Sequence, residues 1–290
     1  MQYHLPKISA LSYIHKFNLI ALAGDTIKII NLQKEKEQQE IKTQRFLRIF
    51  QLIFNEQDNN LYQFNDNKTI VIYKQKGRNF ILDKQFSLEY DFYPTLATIS
   101  HDNQTIILAG MDTHKIVFYN LINQCLTKIE LPNTLIQNYC LLYNKEKRCL
   151  LTQNCLINVG NQKIIKQVIT QFSKLRGWSQ TGYLYSKQIS QKVHMISSFK
   201  QKILRIISEI SINPSQVFSQ TGKYYCFQNR QEQIELFDIS TGISYFSEMK
   251  LLNCQNLQFH ENDQTITTIL SGRSVYILNV NQIINNTKQI

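Results

Sequence analysis

Short apolar runs recur along the whole chain, separated by clusters of Asn, Asp, Gln, Ser and Gly. Seven of these runs are apolar almost throughout: 27–30 (IKII), 70–73 (IVIY), 116–119 (IVFY), 156–159 (LINV), 193–196 (VHMI), 234–237 (IELF) and 275–278 (VYIL). Their first residues lie 37 to 46 positions apart. The runs are short and rich in β-branched and aromatic residues, which favours strands over helices of the same period. A strand apolar at nearly every position, without alternation, is expected to be covered on both faces.

A second marker keeps the same phase. Ser179-Gln180-Thr181-Gly182-Tyr183 is nearly copied at Ser219-Gln220-Thr221-Gly222-Lys223, and His101-Asp102-Asn103-Gln104-Thr105-Ile106 is echoed at 260–266. Residues 55–60 and 144–148 occupy the matching places in other units. Such residues tolerate the turn conformations that others resist, so these stretches are expected to be hairpin tips between the first and second strands of each unit.

A period of roughly 40–45 residues with several short strands per unit is a propeller signature. The stretch Ile234-Glu235-Leu236-Phe237-Asp238-Ile239-Ser240-Thr241-Gly242 resembles the last inner strand and turn of a WD-repeat blade, with Phe237 where the family usually has Trp. The resemblance covers essentially the whole chain and implies an all-β, seven-bladed β-propeller of four-stranded antiparallel blades in a single domain. The blades are expected at 8–45, 46–87, 88–131, 135–169, 170–211, 214–251 and 252–283. The sequence departs from the family in lacking its Gly-His and Trp-Asp pairs; the one Trp, Trp178, sits beside a hairpin tip. Packing of Phe, Tyr and Ile is then expected to stand in for the family's polar network. The resemblance also implies closure by a terminal strand. Gln2–Ile8 is the favoured candidate, with Pro6 suited to an edge, and Gln282–Gln289 is the rival. The polar run Gln33–Glu40 reads as a solvated outer strand or loop, with a partner-binding helix as the alternative.

Composition narrows the picture. With 43% hydrophobic and 18% charged residues the chain can bury a core and is not of disordered type. No apolar run approaches the ~18 residues of a membrane helix, and residues 1–7 do not read as a signal peptide. The six Cys show no C-x-x-C pair and read as reduced thiols, which suits a cytoplasmic protein.

Charge changes it more. The formal net charge is +11, yet no Asp or Glu occurs between Lys147 and Ser208. That stretch holds eleven of the 32 Lys and Arg, so the remainder of the chain balances, 21 basic against 21 acidic. A general compositional bias toward Lys would not empty two consecutive units of acids. Lys163, Lys166, Lys174, Arg176, Lys187, Lys192, Lys200, Lys202 and Arg205 are therefore the candidate partner-binding residues, interleaved with Phe172, Trp178, Tyr183, Tyr185 and Phe199. An acidic surface on a protein partner suits them; RNA and, less well, anionic lipid are the other partners such a surface fits. Lys174-Leu175-Arg176-Gly177 departs from the double-Arg motif of phosphoinositide-binding propellers.

Catalysis has little support. There is no P-loop, dinucleotide fingerprint, nucleophile elbow or H-E-x-x-H motif. His101 and His260 read as hairpin residues, and Cys140, Cys149 and Cys155 lack metal-ligand spacing. Asp112 and Asp238 are expected to accept turn N–H groups. No catalytic residue, cofactor or metal is expected. The chain reads as a non-catalytic interaction scaffold, with an RNA-binding module and, last, an enzyme using a central channel as alternatives.

Overall fold

The computed structural model describes residues 2–4, 8–34, 36–44, 47–100, 102–110, 114–131, 141–144, 148–152, 155–167, 174–178, 184–189, 192–197, 203–207, 216–219, 221–260, 263–270 and 273–287, and between 174 and 207 the backbone of the strands. The described residues form four-stranded antiparallel sheets and one short helix.

Strand β1 (Gln2–His4) pairs far along the chain. The first sheet follows it with β2 (Ala10–Ile14), β3 (Leu19–Ala23), β4 (Thr26–Asn31) and β5 (Lys36–Lys42). The second contains β6 (Ile49–Asn55), β7 (Asn60–Asn65), β8 (Thr69–Lys76) and β9 (Asn79–Ser87). The third contains β10 (Leu96–Ile99), β11 (Thr105–Ala109), β12 (Lys115–Asn120) and β13 (Leu126–Glu130). Next come β14 (Leu141–Asn144), β15 (Cys149–Thr152), β16 (Cys155–Asn158) and β17 (Lys163–Gln167), then β18 (Lys174–Trp178), β19 (Leu184–Ile189), β20 (Lys192–Ser197) and β21 (Ile203–Ile207). A further sheet is built from β22 (Gln216–Phe218), β23 (Tyr224–Gln228), β24 (Gln233–Asp238) and β25 (Ser244–Lys250). In the last, β26 (Cys254–His260), β27 (Thr265–Leu270) and β28 (Ser274–Asn279) are completed by β1. Helix α1 (Val280–Thr287) ends the described chain.

Within each sheet the strands are ordered as in the chain, except that β1 lies outside β28, with Gln2 opposite Tyr276 and His4 opposite Ser274. The N-terminal segment thus supplies a fourth strand to the last sheet, described over Gln2–His4; residues 5–7 of the expected Gln2–Ile8 lie outside the described residues. In the rival segment residues 282–287 lie in α1, whose apolar face buries Val280 and Ile283 in the core shared with β24 and β27. The polar run at 33–40 enters the outer strand β5 and does not form a helix.

The chain divides into two compact units, Leu5–Leu141 and Met1–His4 with Leu142–Ile290. In the first, the sheets stack directly. Leu61, Val71, Tyr73 and Phe80 of the second sheet share a core with Ala21, Ile27 and Ile29 of the first. Their sequence neighbours Tyr62, Ile70 and Ile72 share another with Ile106, Leu108 and Val117 of the third. Successive side chains of one strand serve two cores because a strand's side chains alternate between faces. This is why β3, β7 and β8 lack a polar alternation. Exposure rises toward the fourth strand: β3 is buried throughout, whereas β5 and β9 are mostly exposed.

The turns are built as expected. Asp238 Oδ1 accepts the N–H groups of Ser240 (2.9 Å) and Thr241 (3.0 Å) and the Ser240 hydroxyl (2.6 Å). Gly242, at φ 77°, closes the loop by donating to the Asp238 carbonyl at 2.8 Å; this left-handed backbone favours glycine. Between β22 and β23 Ser219 Oγ accepts the Tyr224 N–H, as a hairpin tip there requires, whereas residues 179–183 lie outside the described residues. Asp112 and His101 lie outside the described residues.

Apolar packing does not act alone. Side-chain amides and hydroxyls stitch neighbouring sheets in the first unit, mostly through backbone groups. Ser12 Oγ accepts the Phe54 N–H (2.8 Å), Gln51 Oε1 accepts the Ala97 N–H (2.8 Å), and Asn55 Nδ2 donates to Asn103 Oδ1. Gln39 accepts the Phe80 N–H at 2.8 Å and donates to its carbonyl at 2.7 Å, extending the edge of β9 by one amide. In the second unit Thr221 donates from both its N–H and its hydroxyl to Asp263 of the next hairpin tip. The expectation that Phe, Tyr and Ile packing replaces a polar network is therefore corrected: a different polar network accompanies it.

Candidate functional site

The acid-free stretch covers strands β15–β17 of one sheet and the whole of the next, β18–β21, in the same compact unit. In the first of them the inner strands carry the apolar residues: Leu150, Leu151, Cys155 and Ile157 are buried. The outer strand β17 opens at Lys163, which is exposed together with Ile164 and Ile165. An Asx turn sets its start, the Lys163 N–H donating to Asn161 Oδ1 at 3.1 Å. Lys166 follows on the same strand, opposite Leu156.

In the next sheet the backbone places Lys174 and Arg176 on the first strand, where the register shifts between Leu175 and Gly177. Lys187 occupies the second strand, between Leu175 and His194. Lys192 opens the third, opposite Ile189, and Arg205 lies on the outer strand opposite Met195. Lys200 and Lys202, with Phe172, Tyr183 and Phe199, lie outside the described residues. The topology thus distributes the set over all four strand positions and puts Lys163, Lys166 and Arg205 on outer strands, the position exposed in β5 and β9. Lys187 sits in the second-strand position, which is covered in β3, β7 and β23.

The thiols are structural in character. Cys149, Cys155, Cys226 and Cys254 are buried and unbridged, and Cys125 is exposed. Burial pushes the Cys155 and Cys254 thiols up to about 11, and Cys226 well above the ordinary value, so these three are not activated as nucleophiles. His260 is buried at the end of β26, its Nε2 2.7 Å from Thr267 Oγ1. Among the described residues no group of three or more His, Cys, Asp or Glu is placed to hold a metal ion. Among the described residues no helix is long and apolar enough to cross a membrane.

Sequence reasoning passed over a second feature, in the unit 5–141. Between the first two sheets lies a cavity of about 200 Å³ bordered by β5, the connection after it, and strands β7, β8 and β9. Its lining includes Gln63, Asn65, Thr69 and Tyr73, polar residues at positions that are otherwise core. Tyr73 Oη donates to Gln63 Oε1 (2.8 Å), and Gln63 Nε2 donates to Asn65 Oδ1 (2.7 Å). Asn65 is 1% exposed, and its Nδ2 has no hydrogen-bond partner. The one available signal was a pair of amides, Gln63 and Asn65, two residues apart and flanking Phe64 in β7.

The chain matches no protein-family description, and no curated protein is significantly similar to it.

Proposed function

We propose that the chain is a WD-repeat-like, seven-bladed propeller that works as a non-catalytic interaction platform in a reducing, cytoplasmic setting, and that its fourth and fifth blades bind an acidic surface on a protein partner. One observation carries this reading: the run without Asp or Glu, 147–208, takes in seven consecutive strands of two neighbouring sheets, β15–β21. A rigid stack of sheets displays outer strands and loops at little entropic cost, and function then resides in the side chains displayed. The outer-strand residues Lys163, Lys166 and Arg205 are the core of the proposed contact, with Lys174, Arg176, Lys192, Lys200 and Lys202 extending it.

The test is charge reversal of Lys163, Lys166 and Arg205 to Glu, with Lys200 and Lys202 reversed in a second variant. Wild-type protein is expected to be retained on a sulfonate resin and to recover a stable protein set from its own cells in the presence of RNase. The variants should lose both properties and melt within a few degrees of wild type. Unchanged retention overturns the basic sector. A recovered set that disappears with RNase overturns the protein partner and puts RNA in its place, where affinity falls steeply with salt.

A further inference from the structure

We infer that the outer strand β17 is a docking edge for an extended, acidic segment of the partner protein, which adds to it as a fifth strand of the sheet β14–β17. The inference rests on the reading of the basic sheets as a protein-binding surface and names the kind of segment that they take.

Position comes first. The order β14-β15-β16-β17 ends at β17, and among the described residues no strand pairs with its outer side. Alternate residues of such an edge turn their N–H and C=O groups away from the sheet, where an extended peptide can bond to them. Ile164 lies opposite Ile157 and Lys166 opposite Leu156, so Ile165 is an extra residue with nothing facing it on β16. Lys163 is exposed, and Ile164 and Ile165 are 36% and 53% exposed. The sequence Lys163-Ile164-Ile165-Lys166 thus sets two exposed apolar side chains between two cationic residues at a sheet edge.

Charge selects the occupant. The outer strands β5, β9, β13 and β25 each carry at least one Asp or Glu, whereas β17 carries none and lies in the stretch without acids. At β9 part of the edge is also taken, because Gln39 bonds both backbone groups of Phe80. A second copy of β17 is a poor fit. Antiparallel pairing about the two isoleucines sets Lys163 against Lys166, and parallel pairing in register sets each lysine against its own copy. Like charges placed opposite one another destabilise a ladder, so the same lysines that discourage self-pairing select an acidic strand. A segment with Asp or Glu on either side of two β-branched residues meets both lysines and both isoleucines at once. Single-stranded RNA is held by rings on which bases stack, and β17 has no aromatic residue.

The probe is the end-blocked peptide Thr-Thr-Glu-Val-Ile-Asp-Thr-Thr, titrated calorimetrically into the whole chain. One control peptide has Lys in place of both acids. Another is N-methylated at Val and Ile, which keeps its charge and side chains and removes the N–H groups that pairing needs. The acidic peptide is expected to bind saturably, and each control to bind weaker by about tenfold or more. Lys163→Glu combined with Lys166→Glu should reverse the preference, losing the acidic peptide and gaining the lysine peptide, an outcome that a misfolded variant cannot give. Strand addition is overturned if the acidic peptide does not bind, or if either control binds as well as it does. Retention on the sulfonate resin then separates the two readings. Where reversal of Lys163, Lys166 and Arg205 still abolishes retention, the basic surface stands without strand addition. Where that reversal leaves retention unchanged, the basic surface falls and strand addition falls with it. A decauridylate that binds where the acidic peptide does not overturns both in favour of RNA.

Discussion

Gln39 shows how much a single side chain can do between two sheets. Its amide pairs with both backbone groups of Phe80, so it acts as one extra rung of a ladder. Gln39→Leu leaves those groups without their partners, and the urea midpoint should fall by an amount equivalent to about 1–3 kcal/mol with an unchanged m-value. An unshifted midpoint would mean that water replaces the amide without loss. Asp238 makes a pH-dependent contribution. Burial works to raise its carboxyl, but the Ser240 hydroxyl, the Thr241 and Ser240 N–H groups and nearby Lys223 together outweigh burial and hold it below the usual carboxylate range. A depressed carboxyl stabilises the fold above the unfolded value of ~3.9, and this contribution is lost as pH falls through the folded value. Asp238→Asn should therefore be less stable than wild type by about 1 kcal/mol at pH 7, and the difference should shrink in melts below pH ~4. A gap that stays constant down to pH 3 would rule the charge out. The exposed pair Lys115–Asp91, at 2.5 Å, has no comparable role, because solvent screens it.

At the scale of elements, the strand that carries most risk is β28. Its apolar run Val275–Leu278 would be a sheet edge without β1, and an unpaired apolar edge invites association with other chains. Deleting Met1–His4 should lower the melting temperature by roughly 3–8 °C, taking the lost pairing as about 2 kcal/mol, and should raise light scattering before the melt. An unaffected melt would mean that α1 and β27 alone secure β28. The assignment of the seven inner strands was legible in sequence because a strand covered on both faces is apolar at nearly every position, and the turns, as at Asp238–Gly242, because Asn, Asp and Gly mark them. The identity of the last element was not. Val280–Thr287 has no acidic residue in its first turn and no basic residue in its last, so helix signals are weak; its helical form follows from burying Val280 and Ile283 in the core with β24 and β27.

For the whole molecule, the notable imbalance is electrostatic. Outside residues 147–208 positive and negative charges are equal in number, so the excess of +11 resides in that stretch. At physiological salt a field decays over ~8 Å, so this excess acts on what touches that stretch and not on distant parts of a partner. Reversing Lys163, Lys166 and Arg205 changes this property on the outer strands β17 and β21.

Local chemistry, then, was enough to determine strand positions, turns, repeat phase and the location of the charge, since each depends on the near neighbours of a residue. Only the tertiary structure decided which alternate residues of β7 and β8 face which core, which amides cross from one sheet to the next, and that Asn65 ends a buried chain of hydrogen bonds with a donor left over. Those outcomes join residues about 40 apart, as with Gln39 and Phe80, or depend on a partner that is missing. Neither kind of information is present in a short window of sequence, where an amide in an apolar strand looks the same whether it is satisfied or not.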